Sequence, residues 1–135
     1  MAAEPTSPEP SDEAVIALAQ RLFDYARAGD TATLERYLDA GAPVDLCGST
    51  GDTLLMLAAY HGHGETVRML IERGADVDAA NVKGQVPIAG ATFKGYVEVV
   101  EILAAAGADP NAGQPTAIET AKMFGRDDLL AILQG

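Results

Sequence analysis

The chain has 135 residues and a mass of 14.0 kDa, enough for one domain that buries most of its own apolar surface. Twenty acidic against nine basic residues leave a formal charge of −11. That balance repels polyanions and anionic lipid over roughly a Debye length of 10 Å, so no nucleic acid and no membrane surface is expected as a partner. The one cysteine, Cys47, has no internal partner, which excludes a disulfide-stapled scaffold and makes the reducing cytoplasm the expected location.

Residues 1–11, MAAEPTSPEPS, hold prolines at 5, 8 and 10 and neither a basic residue nor an apolar run. That composition predicts a disordered lead and lacks the features of a secretory signal. An uninterrupted apolar run of about 18 residues, the minimum for a bilayer span, occurs nowhere. Ser11 or Asp12 is the candidate cap of a first helix over about 12–28, with Val15, Leu18, Leu22 and Tyr25 along one side.

Beyond that helix the chain repeats itself. GAPVDLC begins at 41, GADVDAA at 74 and GADPNAG at 107, so Gly41, Gly74 and Gly107 are spaced by 33 residues and then 33 again. Gly29, Gly62 and Gly95 run at the same interval, and Gly125 follows three residues early. After each turn glycine come apolar residues three and four apart, as in Leu34, Tyr37 and Leu38, then Val67, Leu70 and Ile71, then Val100 and Leu103, and last Leu129, Ile132 and Leu133. That spacing places them on one face of a short helix. Each unit reads as helix, tight turn, helix and a glycine-initiated loop. Isolated helices shorter than about 12 residues are marginal in water, so the pairs are expected to stack as a solenoid that shares its core between neighbours.

These residues resemble the ankyrin repeat, a unit of 33 residues built from a β-turn and two helices. GDTLLMLAAYHGH at 51–63 follows its pattern, with Leu54 and Met56 in place of the usual proline and histidine. GQVPIAGATFKG at 84–95 keeps the proline as Pro87 but has Val86 and Ala89 for threonine and histidine. The resemblance implies an all-α ankyrin-repeat solenoid with short β-turn loops over 12–135, in units of about 12–47, 48–80, 81–113 and 114–135, the two terminal ones serving as caps. It also implies that His63 holds its loop through hydrogen bonds.

His61 and His63 look at first like metal ligands. Two histidines two residues apart supply only half of a zinc site, so no metal is expected. Neither G-x-x-x-x-G-K-[ST] nor G-x-G-x-x-G is present, and Cys47 sits in a loop with no evident oxyanion site, so neither a cofactor nor catalysis is expected.

Arrays of the resembled kind bind proteins with the concave side, formed by loop tips and the exposed positions of each first helix. The residues that map there are Arg27, Ser49, Thr50, Asp52, Tyr60, His61, Val82, Lys83, Gln85, Phe93, Lys94 and Met123. Tyr60, Phe93 and Met123 fall at equivalent positions, as a stripe of large side chains suited to an interface hot spot or, alternatively, to packing across adjacent helices. Phe124 is a candidate plug of the last unit. Arg27, Lys83, Lys94 and Lys122 map to or near the same side, pointing to an acidic or mixed-charge protein segment as partner. The expected function is a non-enzymatic interaction module, an adaptor or inhibitor that is monomeric when free. The alternative is an accessory subunit that stabilises or localises an enzyme in a constitutive complex.

Overall fold

The structure, a computed structural model, describes residues 12–135. The disordered lead expected over 1–11, and Ser11 as a cap, lie outside the described residues.

The described residues form eight helices in four consecutive pairs. In chain order they are α1 (Asp12–Ala28), α2 (Thr31–Asp39), α3 (Leu54–Tyr60), α4 (Gly64–Glu72), α5 (Pro87–Lys94), α6 (Val97–Ala105), α7 (Ala117–Met123) and α8 (Asp127–Gln134). The odd-numbered helices pack one on the next as an inner row, and the even-numbered helices form an outer row behind them. An isolated antiparallel bridge between Cys47 and Thr53 is the only extended pairing among the described residues, so the architecture is all-helical.

The inner helices start where the local chemistry predicts. Thr53 is extended and its hydroxyl accepts from the Met56 backbone N–H at 3.1 Å. Thr116 and Glu119 form a reciprocal capping box at the start of α7. Val86 has no side chain able to cap α5, and Pro87 at the first turn supplies a preset helical φ instead. The apolar stripe of each outer helix turns inward, and Leu34, Val67, Leu70, Val100, Leu103 and Leu129 are completely buried.

The second helix of each later pair begins with a side chain that reaches back to the pair before it. His63, Tyr96 and Arg126 occupy equivalent positions and make no cap hydrogen bond with their own helix. Instead they lie over Gly29, Gly62 and Gly95 respectively, where an added Cβ would come within 2.5, 3.0 and 2.8 Å of them. These glycines therefore satisfy two demands, a positive φ at the turn and clearance for the neighbour's side chain. His63 Nε2–H donates to the carbonyl oxygen of Arg27 at 2.7 Å, so the hydrogen bond implied for His63 fastens the end of α1 in the preceding pair rather than its own loop.

The loops are laced in the same direction. The Asp76 N–H donates to the Asp45 carboxylate, and one repeat later the Asp109 N–H donates to Asp78, both at 2.9 Å. On the outer row Arg73 reaches Glu35 at 3.1 Å and pairs with Asp39, while Arg68 pairs with Glu98 at 3.3 Å.

Two expectations about the apolar residues change. Val15 and Leu18 are exposed, and the buried side of α1 is formed by Leu22, Phe23 and Ala26. The reason is length: α1 has 17 residues and α3 only 7, so the first half of α1 runs beside the 46–50 loop instead of a helix. Phe124 does not plug the last pair. It stays half exposed and meets Phe93 edge to face, with ring centres 5.5 Å apart.

Candidate functional site

The inner row and its loop tips carry the residues singled out from the pattern, and the structure divides them. Arg27, Ser49, Thr50 and Asp52 line a groove of about 590 Å³ between α1 and the loop that precedes α3, together with Val15, Ile16 and Phe23. Tyr60, Gln85 and Phe93 line a smaller pocket of about 190 Å³ between α3 and α5. A recess of about 120 Å³ lined by Asp52, Met56, Leu57, Tyr60 and Gln85 lies between them. His61, Val82, Lys83, Lys94 and Met123 are exposed and line none of these hollows.

Several of these polar side chains are engaged within the protein. Asn81, a residue the pattern did not single out, is the hub: its Nδ2 donates to Asp52 at 2.9 Å and to Gln85 Oε1 at 2.8 Å, while its Oδ1 accepts from the backbone N–H groups of Lys83 and Gln85. The Thr50 hydroxyl donates to Asp52 at 3.1 Å, and the Thr50 carbonyl accepts from Val82 N–H at 3.0 Å. The loop tips of the second and third pairs are thus tied into one surface. An asparagine three residues before a glycine is the signal that marks this turn in the sequence, but its reach to Asp52 depends on the loops meeting.

The large side chains follow an exposure gradient. Tyr60 is half-buried, Phe93 is 55% exposed and Met123 is 70% exposed. Lys94 Nζ sits 5.1 Å from the centre of the Tyr60 ring, within cation–π range. His61 stands edge-on to the same ring, with centres 5.9 Å apart. Partial burial lowers the His61 pKa below the ordinary histidine value, and the nearby charges of His63, Arg27 and Lys94 push it the same way. At neutral pH its imidazole is uncharged, and the positive charge beside Tyr60 is that of Lys94.

The cations separate as well. Arg27 pairs with Asp24 at 2.8 Å on its own helix. Lys83 and Lys94 are exposed and form no ion pair with any described carboxylate. Lys122 does not belong to the inner line: its counterparts Ala26, Ala59 and Thr92 are buried, and it is exposed at the open end of the last pair.

Among the described residues no group of three or more His, Cys, Asp or Glu side chains is placed to hold a metal ion, and no helix is long and apolar enough to cross a membrane. A family profile described as ankyrin repeats, in three copies, matches residues 22–114. A Pseudomonas aeruginosa protein named for ankyrin repeats is 47% identical over 64 residues, a stretch that covers 47% of this chain and 37% of that protein. With most of the chain matched and its helices stacked in pairs, the chain belongs to the ankyrin-repeat family, whose arrays generally mediate protein–protein interaction and are typically not enzymes.

Proposed function

We propose that residues 12–135 act as one recognition domain of four units, whose inner face captures a single protein partner as an adaptor or inhibitor does. The supporting observation is the exposure of Phe93 and Met123, 55% and 70%, at the same position of consecutive inner helices, with Phe124 beside them. Large side chains are costly to leave in water and are enriched at interface hot spots. Lys83 and Lys94, without ion-pair partners in a chain of net charge −11, favour an acidic or mixed-charge segment and would steer its approach. The free chain is proposed to be a monomer in the cytoplasm, where the exposed Cys47 thiol stays reduced.

The test uses the full chain as bait in an extract of its native cells, beside the double variant Phe93→Ser, Met123→Ser. A protein retained in stoichiometric amount by the first and lost from the second, with unchanged unfolding midpoints, is the expected result. Identical retention by both baits would remove the inner face from the account.

A second reading, an accessory subunit held permanently on an enzyme, is favoured by a different observation. Val15 and Ile16 on α1 are 51% and 56% exposed, an apolar strip far from Phe93 in sequence. Permanent interfaces are larger and more apolar than transient ones, and two such patches suit one. Native size-exclusion separates the readings: a chain that never elutes free of a companion belongs to the second.

A further inference from the structure

We propose that the gap at Gly90 is a specificity pocket for one apolar side chain, between leucine and phenylalanine in size, carried by an acidic segment of a protein partner. This rests on the inner-face reading above and adds what that face selects.

Leu57, Gly90 and Thr120 hold the same position in α3, α5 and α7. In the pair before, that position holds a leucine, almost completely buried. In the α5 pair it holds glycine in a helix interior, with none of the positive φ that accounts for the turn glycines. Glycine is the poorest helix former after proline, so backbone geometry does not explain it. Its surroundings do. A Cβ at Gly90 would lie 3.2 Å from both Met56 Cε and Tyr60 Cδ2, and these two side chains lean into the space a larger residue would take. What they leave is the hollow of about 190 Å³, which the exposed Gln85, Phe93 and Pro115 bring to the surface.

The chemistry of the hollow selects an apolar occupant. Its wall is Met56, Tyr60, Ala89 and Phe93, and two of the polar groups around it are engaged within the protein: the Thr120 hydroxyl donates to the Thr116 carbonyl at 2.8 Å and Gln85 Oε1 accepts from Asn81. Water there finds few partners, whereas an apolar cavity of roughly 150 Å³ is enough to take a benzene ring. The methionine wall adapts its shape to the entering group. Charge selects the rest of the segment. Lys94 stands over the Tyr60 ring and Lys83 lies on the adjoining loop tip, and neither has a carboxylate of its own. A second copy of this chain, at −11, is repelled from such close approach, which favours a different protein.

The probe is a displayed library of linear peptides with a fixed central leucine or phenylalanine and random flanks, selected on the full chain. Enriched flanks are expected to be rich in Asp and Glu. For a synthetic peptide from that selection, Gly90→Leu should weaken binding about tenfold or more, the loss expected for one buried side chain. Replacing the central residue of the peptide by alanine should cost as much, and the two changes together little more. Gly90→Ala, a smaller change that keeps the fold should the leucine variant lose it, should weaken binding by a lesser factor in the same direction. Peptides that bind both Gly90 variants as tightly as the parent overturn the pocket, as do basic flanks or a selection that yields nothing. If those peptides are still lost on Lys83→Glu or Met123→Ala, the inner-face reading survives the pocket; if they ignore these changes too, both fall. A dimer of the chain that dissociates on Gly90→Leu would put a second copy in place of the partner and likewise overturn the proposal.

Discussion

His63 Nε2 lies 2.7 Å from the carbonyl oxygen of Arg27, so the second helix pair is fastened to the last turn of α1. The bond requires the tautomer protonated at Nε2, and the imidazole also covers Gly29. His63→Ala removes the donor to that carbonyl and should destabilise the array by about 1–2 kcal/mol, read from the urea midpoint. A loss within about 0.5 kcal/mol, the scatter of ordinary surface changes, would mean the contact between pairs is not held there.

Gly62 and Gly90 should respond in opposite directions to the same substitution. Gly62 has φ +79° and an added Cβ would meet the Tyr96 ring at 3.0 Å, so Gly62→Ala is expected to destabilise by about 1–3 kcal/mol. Gly90 is helical, and the Met56 and Tyr60 side chains that would have to yield border the hollow between α3 and α5. Gly90→Ala should therefore stabilise by about 0.5–1 kcal/mol through helix propensity. Parallel denaturation of the two variants checks both signs at once.

Leu70 is completely buried in the interior of α4, where its side chain belongs to the core shared along the array. Leu70→Ala should cost about 2–5 kcal/mol, transfer energy plus the cavity left behind. A harmless outcome, measured by chemical or thermal unfolding, would contradict the burial of this outer-row stripe.

The lowered pKa of His61 makes a pH prediction. The unfolded chain takes up this proton near 6.5, the folded chain only at lower pH. Between the two values the unfolded state binds more protons, so the His61 contribution to stability falls as pH drops through 6.5 and levels off below the folded pKa. Proton NMR should show the His61 ring titrating below the ordinary histidine range, and His61→Gln should remove this part of the pH dependence. The Asp128 carboxyl, held below its ordinary range first by its hydrogen bond from Arg126, stabilises at higher pH, and that contribution is lost only in stronger acid.

The period and the residues on either side of each turn made the paired helices legible, because a turn glycine and an apolar stripe are local requirements of the chain. Leu34, Val67, Val100 and Leu129 sit at the expected face and are all buried. The inner face was legible as a set of positions, since Tyr60, Phe93 and Met123 recur in register. Which of them is exposed was not: Tyr60 is half-buried and Met123 is 70% exposed, because Gly90 and Lys94 of the following pair pack against Tyr60, whereas Met123 lies on the last described pair.

By itself the order of residues determined the helix pairs, their repeat and the glycines between them, all set by backbone sterics and the 3.6-residue turn of the helix. The tertiary structure decided the rest, since exposure, ion pairing and hollows depend on what the neighbouring pair brings within a few ångströms. Lys122 shows this at the open end, where its counterparts in earlier pairs are buried. Gly90 shows it inside: only when Met56 and Tyr60 of the preceding pair are set against it does the missing side chain become a pocket.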